Sequence, residues 1–179
     1  MNDNSQQFKW IGTSPIRPDG LEKVTGAALF GADLKVPGML VGRMLRSPHA
    51  HARIRGFDTS KAEALAGVKA VVTSADFPDQ PSVYVGPDRV QQNMHHITRN
   101  IMAREKALYD GHAVAAVAAT SKAVAREALK RIKVVYETLP HVIDVDEAMA
   151  EDAPLLFEDM ITRGVEPVPT TAANINKVG

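Results

Sequence analysis

Apolar and polar positions alternate with period two in several short runs, and only one stretch carries a clear helical stripe. Over residues 39–46 the alternation puts Leu40, Gly42, Met44 and Arg46 on one side of an extended strand and Val41, Arg43 and Leu45 on the other. Pro48 ends that run. Residues 52–57 resume it, so two strands should meet in a hairpin or a corner across the Pro-containing segment. Residues 68–73 are short and β-branched, a further strand. Residues 27–34 have strand character up to the turn at Pro37-Gly38. Residues 113–119 are a continuous run of small apolar side chains, as expected of a strand buried on both faces. After them Ser121 is placed to N-cap a helix over about 122–132, with Ala125, Ala128, Leu129 and Ile132 as its inner stripe and Glu127 and Arg131 as an exposed i,i+4 pair. Residues 133–137 return to strand spacing, with Val134 and Tyr136 opposite Val135, which completes a βαβ-like unit.

Shorter elements and breaks fill the remainder. Ser60 and Glu63 have capping-box spacing and Gly67 suits the left-handed end of the short helix over 60–66. Asp144 and Glu147 similarly start a short helix running to about 150. Residues 1–9 form a polar, disordered tail, and Pro15 and Pro18 make the following stretch an extended arm. Arg17 and Asp19 either hold that arm by charged hydrogen bonds or sit in a solvated turn. Residues 79–100 contain Pro81, Pro87 and His95-His96 without periodicity, and read as a long connection without structure of its own. Beyond Phe157 periodicity is lost, so 159–179 reads as a linker.

Composition narrows the classes. At 179 residues and 45% hydrophobic, the chain suits a single domain able to bury a core. Lys plus Arg equals Asp plus Glu at 21 each, so no overall field attracts nucleic acid or an anionic membrane. The absence of cysteine excludes disulfides, thiolate zinc sites, cysteine nucleophiles and iron–sulfur ligation within the chain. The polar start lacks the charge and apolar run of a signal peptide, and no stretch approaches the roughly 18 apolar residues of a membrane span. A cytoplasmic protein is expected.

Histidines are the candidate chemistry. His49 and His51 at i,i+2 would share one face of a strand, within reach of a common metal. No Asp or Glu lies between Asp33 and Asp58 to complete such a set, which favours a structural or interface role. His95 and His96 are adjacent, diverge on regular structure, and read as part of a solvated loop. His112 follows Gly111 at the mouth of the 113–119 strand, where it either contacts a neighbouring domain or closes a capped turn. No G-x-G-x-x-G, P-loop or G-x-S-x-G occurs. No residue is therefore assigned as catalytic, cofactor-binding or metal-ligating.

Four ordered blocks carry a family resemblance: 18–26 (PDGLEKVTG), 36–40 (VPGML), 46–54 (RSPHAHARI) and 108–117 (LYDGHAVAAV). Together they resemble the start of the molybdenum-cofactor subunit of xanthine dehydrogenase, aldehyde oxidase and carbon monoxide dehydrogenase type enzymes. The resemblance runs from about residue 12 to about 156. It implies an α+β fold, the α/β hammerhead domain, over 10–158, with a mixed sheet and two or three helices. The segment 159–179 would then lead to cofactor-binding domains. In this family Pro48 would fix a turn that Arg46 and Arg53 anchor. Where many relatives read Tyr-Val-Gly-Glu-Pro-Val, this chain has Tyr109-Asp110-Gly111-His112-Ala113-Val114, so the subfamily and substrate stay open.

The implied whole enzyme is a molybdenum hydroxylase taking its oxygen from water and passing electrons through iron–sulfur clusters to FAD. Its substrates would be aldehydes, N-heterocycles, acyl-CoA derivatives or carbon monoxide. The groups that hold the molybdenum–pterin cofactor and act as base lie in the domains after the hammerhead, so none carries over here and the chain alone should be inactive. Partners would be those molybdopterin-binding domains and the iron–sulfur and FAD subunits or domains, with no nucleic acid and no membrane. The alternative is a free-standing, non-catalytic interaction subunit of a split enzyme. A biotinyl- or lipoyl-type carrier is disfavoured, because no lysine lies between methionines.

Overall fold

Residues 9–86, 92–167 and 169–175 are described in a computed structural model. The expected tail up to residue 8, Pro87 and the last four residues of the expected linker lie outside them. The chain divides into two units, Met1–Met39 and Leu40–Gly179.

In the first unit the expected extended arm contains a helix, α1 (Gly20–Thr25), which ends where Gly26 turns to φ +75°. Asp19 accepts from Arg17 Nε at 2.5 Å and pairs with Lys23 Nζ at 2.8 Å, closing the first turn on itself. These groups are about half exposed, so the clamp stabilises α1 only slightly. The strand expected over 27–34 is absent. A 3-10 turn occupies Gly31–Asp33 instead, because the Asp33 carboxylate accepts the Phe30 N–H at 3.1 Å and draws the backbone out of extension.

The second unit runs β1 (Val41–Arg46), β2 (Ala52–Asp58), α2 (Ser60–Glu63), β3 (Val68–Thr73), β4 (Tyr84–Val85), β5 (Gln92–Asn93), α3 (Met94–Ile101), β6 (Lys106–Ala107), β7 (Ala113–Ala119), α4 (Lys122–Arg131), β8 (Lys133–Thr138) and α5 (Val145–Ala148). Two three-stranded sheets, β1-β7-β3 and β6-β2-β8, and the small β4-β5 pair make up its β structure among the described residues. Among the described residues every strand pairing is antiparallel, where a mixed sheet was expected, and α1 with the four helices of this unit makes five α-helices where two or three were expected. The βαβ-like unit is corrected in the same way. Its helix and strands form, but β7 and β8 fall in different sheets and α4 carries the chain from one to the other. The connection after β1 is likewise a corner between sheets rather than a hairpin.

Small side chains bring α4 down onto β7. Ala115, Val117 and Ala119 meet Ala125, Ala128 and Ile132, with Ala62 of α2 closing the cluster. Leu45, Leu65, Val71, Val124 and Leu129 pack around this core. Ser121 caps α4 by accepting the Val124 N–H at 3.2 Å, as its position suggested. Asp144 does the same for α5, accepting from Asp146 and Glu147. The α2 cap sits one residue earlier than expected, at Thr59, since Asp58 Oδ1 takes both the N–H and the hydroxyl of Ser60. Gly67 adopts φ +93°, and a Cβ there would lie 2.8 Å from Thr120 Oγ1.

Two expected loops acquire structure. Residues 79–100 hold the β4-β5 pair and most of α3. The stretch expected as a linker is tied down over its described part by an Ile161–Ala172 bridge, a Thr162 hydroxyl donating to the Ile175 carbonyl at 2.7 Å, and Asn174 bonding to Leu156, Ala148 and Pro154. No described helix is long and apolar enough to cross a membrane.

Candidate functional site

The segments 46–54 and 108–117 form one hydrogen-bonded corner. Ser47 N–H donates to the His112 carbonyl at 2.8 Å, Gly111 N–H returns to the Ser47 carbonyl at 2.9 Å, and Arg46 Nη1 donates to the Gly111 carbonyl at 2.7 Å. Gly111 has φ +82°, which a side chain would resist. His112 is fully buried at the centre. Its Nδ1 accepts the Leu108 N–H at 3.0 Å, so the ring proton sits on Nε2 and donates to the Asn100 carbonyl at 3.1 Å. Tyr109 stacks on the ring with centroids 4.4 Å apart. Burial pushes this imidazole below its ordinary 6.5, against the raising effect of the Asn100 and Arg99 carbonyls. These bonds close a capped turn, one of the two readings of His112.

His49 and His51 lie in the turn before β2 rather than on a strand, and each is engaged separately. His49 meets the Tyr136 ring edge-on at 5.0 Å. His51 is buried, and its Nδ1–H donates to the Pro140 carbonyl at 2.8 Å. Its Nε2 has no partner and borders a cavity of about 230 Å³ with His141 and Asn174. Arg46 anchors the corner as expected. Arg53 does not: its Nε is buried without a hydrogen-bond partner.

The adjacent histidines were expected to diverge in a solvated loop, and this is corrected. Asn93, buried, caps α3 by accepting the His95 N–H at 3.0 Å, which places both histidines in the first helical turn. His95 Nδ1 lies 2.9 Å from the Gln80 carbonyl, and His96 Nε2 lies 2.9 Å from Asp159 Oδ1. A ring nitrogen from each histidine and a carboxylate oxygen of Asp159 lie within 4.8 Å of one another. Convergence is possible because imidazoles one position apart on a helix have the reach to tilt together, here edge-to-face at 5.5 Å. Ser82 donates to Asp159 Oδ2 at 2.5 Å and Asn93 Nδ2 donates to Ser82 at 3.0 Å. Burial raises the Asp159 carboxyl, but the Ser82 and His96 hydrogen bonds together outweigh it and hold the group below the usual range.

One signal in the sequence marks this helix. Asn93 is a favoured N-cap, and Met94, Ile97 and Ile101 follow at helical spacing. Nothing local announces Asp159, which arrives from sixty-three residues away.

The family model for the aldehyde oxidase and xanthine dehydrogenase a/b hammerhead domain matches residues 25–140. The chain belongs to this family. Over 164 residues it is 37% identical to the carbon monoxide dehydrogenase large chain of Afipia carboxidovorans, covering 88% of this chain and 19% of that one. Over 160 residues it is 32% identical to the nicotinate dehydrogenase large molybdopterin subunit of Eubacterium barkeri, covering 86% of this chain and 34% of that one. The crystal structure of quinoline 2-oxidoreductase from Pseudomonas putida superposes with a TM-score of 0.66 at 34% identity, over 79% of this chain and 18% of that one. The chain thus spans between about a fifth and a third of the length of these proteins.

The family's molybdenum–pterin group does not fit the hollow beside the histidines. That hollow, about 360 Å³, is lined by Arg53, Arg99 and Lys106 but equally by Glu105, Glu158 and Asp159. Arg99 is already bonded to Asp79 and Glu105, and Lys106 faces Glu158 at 3.5 Å. A phosphate-bearing cofactor would meet as many carboxylates as cations there.

Proposed function

We propose that this hammerhead domain serves as a structural, interdomain-packing element in the large subunit of a cytoplasmic molybdenum hydroxylase that oxidises aldehydes, N-heterocycles or related substrates with oxygen from water. On this reading the molybdenum–pterin cofactor, the iron–sulfur clusters and FAD are held by the domains or subunits that the hammerhead packs against. No residue of the chain acts on substrate. The domain itself extends over 10–158, and 159–179 leads toward the cofactor-binding domains.

The observation that carries the reading is a closed corner beside open apolar surface. Around α5, Ile143, Val145 and Met149 are 89%, 73% and 56% exposed, and Val83 and Val85 flank the β4 edge in the same condition. Side chains of this kind gather where a partner covers them. The test is co-expression with the polypeptide that carries the cofactor domains, followed by hydrogen exchange. Residues 83–85 and 143–149 should gain protection in the complex. A complex in which neither segment changes, or no complex at all, overturns the proposal.

The split-subunit reading has its own support. Matched lengths of 164 and 160 residues cover 19% of the carbon monoxide dehydrogenase chain but 34% of the nicotinate dehydrogenase subunit. The latter is therefore little more than half as long, a length that agrees with a large subunit divided between chains. Mass spectrometry of the native complex separates the two: a separate chain of 19.3 kDa supports the split, and a single longer polypeptide excludes it.

A further inference from the structure

We propose that His95, His96 and Asp159 form a binding site for a divalent first-row cation, zinc foremost. The site does not depend on the packing role above. Two imidazole nitrogens and one carboxylate oxygen are borderline donors that suit zinc and its neighbours, whereas calcium or magnesium would want a shell of oxygens and copper(I) would want thiolate or thioether.

Distances favour it. The His96 Nε2 and Asp159 Oδ1 atoms are 2.9 Å apart. Two ligands on a tetrahedral zinc, with bonds of about 2.0–2.2 Å, sit roughly 3.3–3.6 Å from each other. An ion can therefore replace the hydrogen-bonded proton after a shift of a few tenths of an ångström. The third donor lies within 4.8 Å and has further to come. His95 is only half-buried, so its ring can tilt toward the ion while Nδ1 keeps the Gln80 contact.

The surroundings are those of a metal site's outer shell. A backbone carbonyl can only accept, so Gln80 fixes the His95 proton on Nδ1 and leaves Nε2 with its lone pair. Ser82 holds the second oxygen of Asp159, and Asn93 holds both Ser82 and the His95 backbone. Partners of this kind orient ligating imidazoles and carboxylates. A plain His96–Asp159 ion pair would require neither the Gln80 contact nor His95. His95 and Asp159 border the 360 Å³ hollow and His96 a second one of about 300 Å³, so a water can complete the coordination. Arg99, which lines the same hollow as His95 and Asp159, is taken up by Asp79 and Glu105.

The test titrates zinc into the full 179-residue chain after chelator treatment, against a chromogenic competitor, with melting temperature followed in parallel. One ion per chain at micromolar Kd or tighter is expected, with a rise in Tm on binding. His96→Ala and Asp159→Asn should each weaken binding at least tenfold and remove the zinc-dependent rise in Tm, while His49→Ala leaves both unchanged. Asp159→Asn keeps hydrogen-bonding capacity toward Ser82 and His96, so it decides the matter should His96→Ala fail to melt cooperatively. Wild-type chain that takes up no stoichiometric zinc, or an Asp159→Asn chain that binds as the wild type does, overturns the proposal.

Discussion

The α4–β7 core and the α3 region are built on opposite plans. In the first, alanines on both elements let a helix settle close to a strand; β7, Ser121 and α4 follow one another directly in sequence, and β1 and β3 from earlier in the chain pair with β7 to complete the packing. In the second, a short polar helix is held by Ser82, Gln80 and Asp159 through side-chain hydrogen bonds to distant segments. The first is stabilised by packing, which is non-directional and tolerates no added volume. The second rests on directional bonds at a partly wet surface, each worth about 1 kcal/mol.

The sharpest way to break this contrast is to add volume to the first region. Ala125 is fully buried against the sheet, so Ala125→Leu should force α4 outward and cost about 3 kcal/mol or more, at the upper end for overpacking. Urea unfolding would show it as a fall in midpoint for the whole unit. A loss below about 0.5 kcal/mol would mean that the alanine contact is not close.

Next comes His112, which lies where packing and directional bonds meet. His112→Leu keeps the volume but leaves the Leu108 N–H without a partner and the Asn100 carbonyl with only the long Tyr109 hydroxyl contact at 3.4 Å, at a cost of about 1–3 kcal/mol. The wild-type ring also makes stability depend on pH. Its folded pKa is depressed below 6.5, so the unfolded chain binds the proton more readily. The contribution is complete above pH 6.5 and is lost as pH falls through that value toward the folded pKa. The groups facing the ring are the Tyr109 phenol and the Asn100 and Arg99 carbonyls, and the nearby Arg46 guanidinium is bound to Gly111. Melting temperatures over that range should fall with pH for the wild type and fall less for His112→Leu.

What could be read from the sequence follows the same division. Strands β1, β2, β3, β7 and β8 and helix α4 were legible because period-two and helical spacing report burial of local faces. The sheet to which each strand belongs was not legible. β7 and β8 flank α4 as they would in a βαβ unit, and only the pairing of β7 with β1 and β3, and of β8 with β2, separates them. The 46–54 and 108–117 blocks announced a family, and Arg46 behaved as its position implied. The histidine cluster stayed hidden because its third member is far away in the chain, and because Pro81 and Pro87 made a structured segment look like a loop. Only the Asn93 cap offered a clue.

That cap gives the third prediction. Asn93→Ala removes the acceptor for the His95 N–H and the donor to Ser82, and should cost about 1 kcal/mol. The loss should be local. Hydrogen exchange should speed up across 94–101 while β7 and α4 remain as protected as in the wild type. Equal acceleration in both would show that the two regions unfold as one, and the contrast between them would fail.

The smallest effect belongs to the feature most easily read. Glu127 and Arg131 were paired from their i,i+4 spacing, and they do meet, at 3.2 Å. Both side chains are nearly half exposed, so solvent screens the pair and holding two long side chains costs entropy. Glu127→Gln should therefore change stability by only a few tenths of a kcal/mol, less still in high salt. A double-mutant cycle with Arg131→Gln measures the coupling. A coupling above about 1 kcal/mol would show that charge within the helix, and not only alanine packing, stabilises α4. A value near zero would leave close packing as the force that holds this region, and hydrogen-bonded side chains as the force that holds the other.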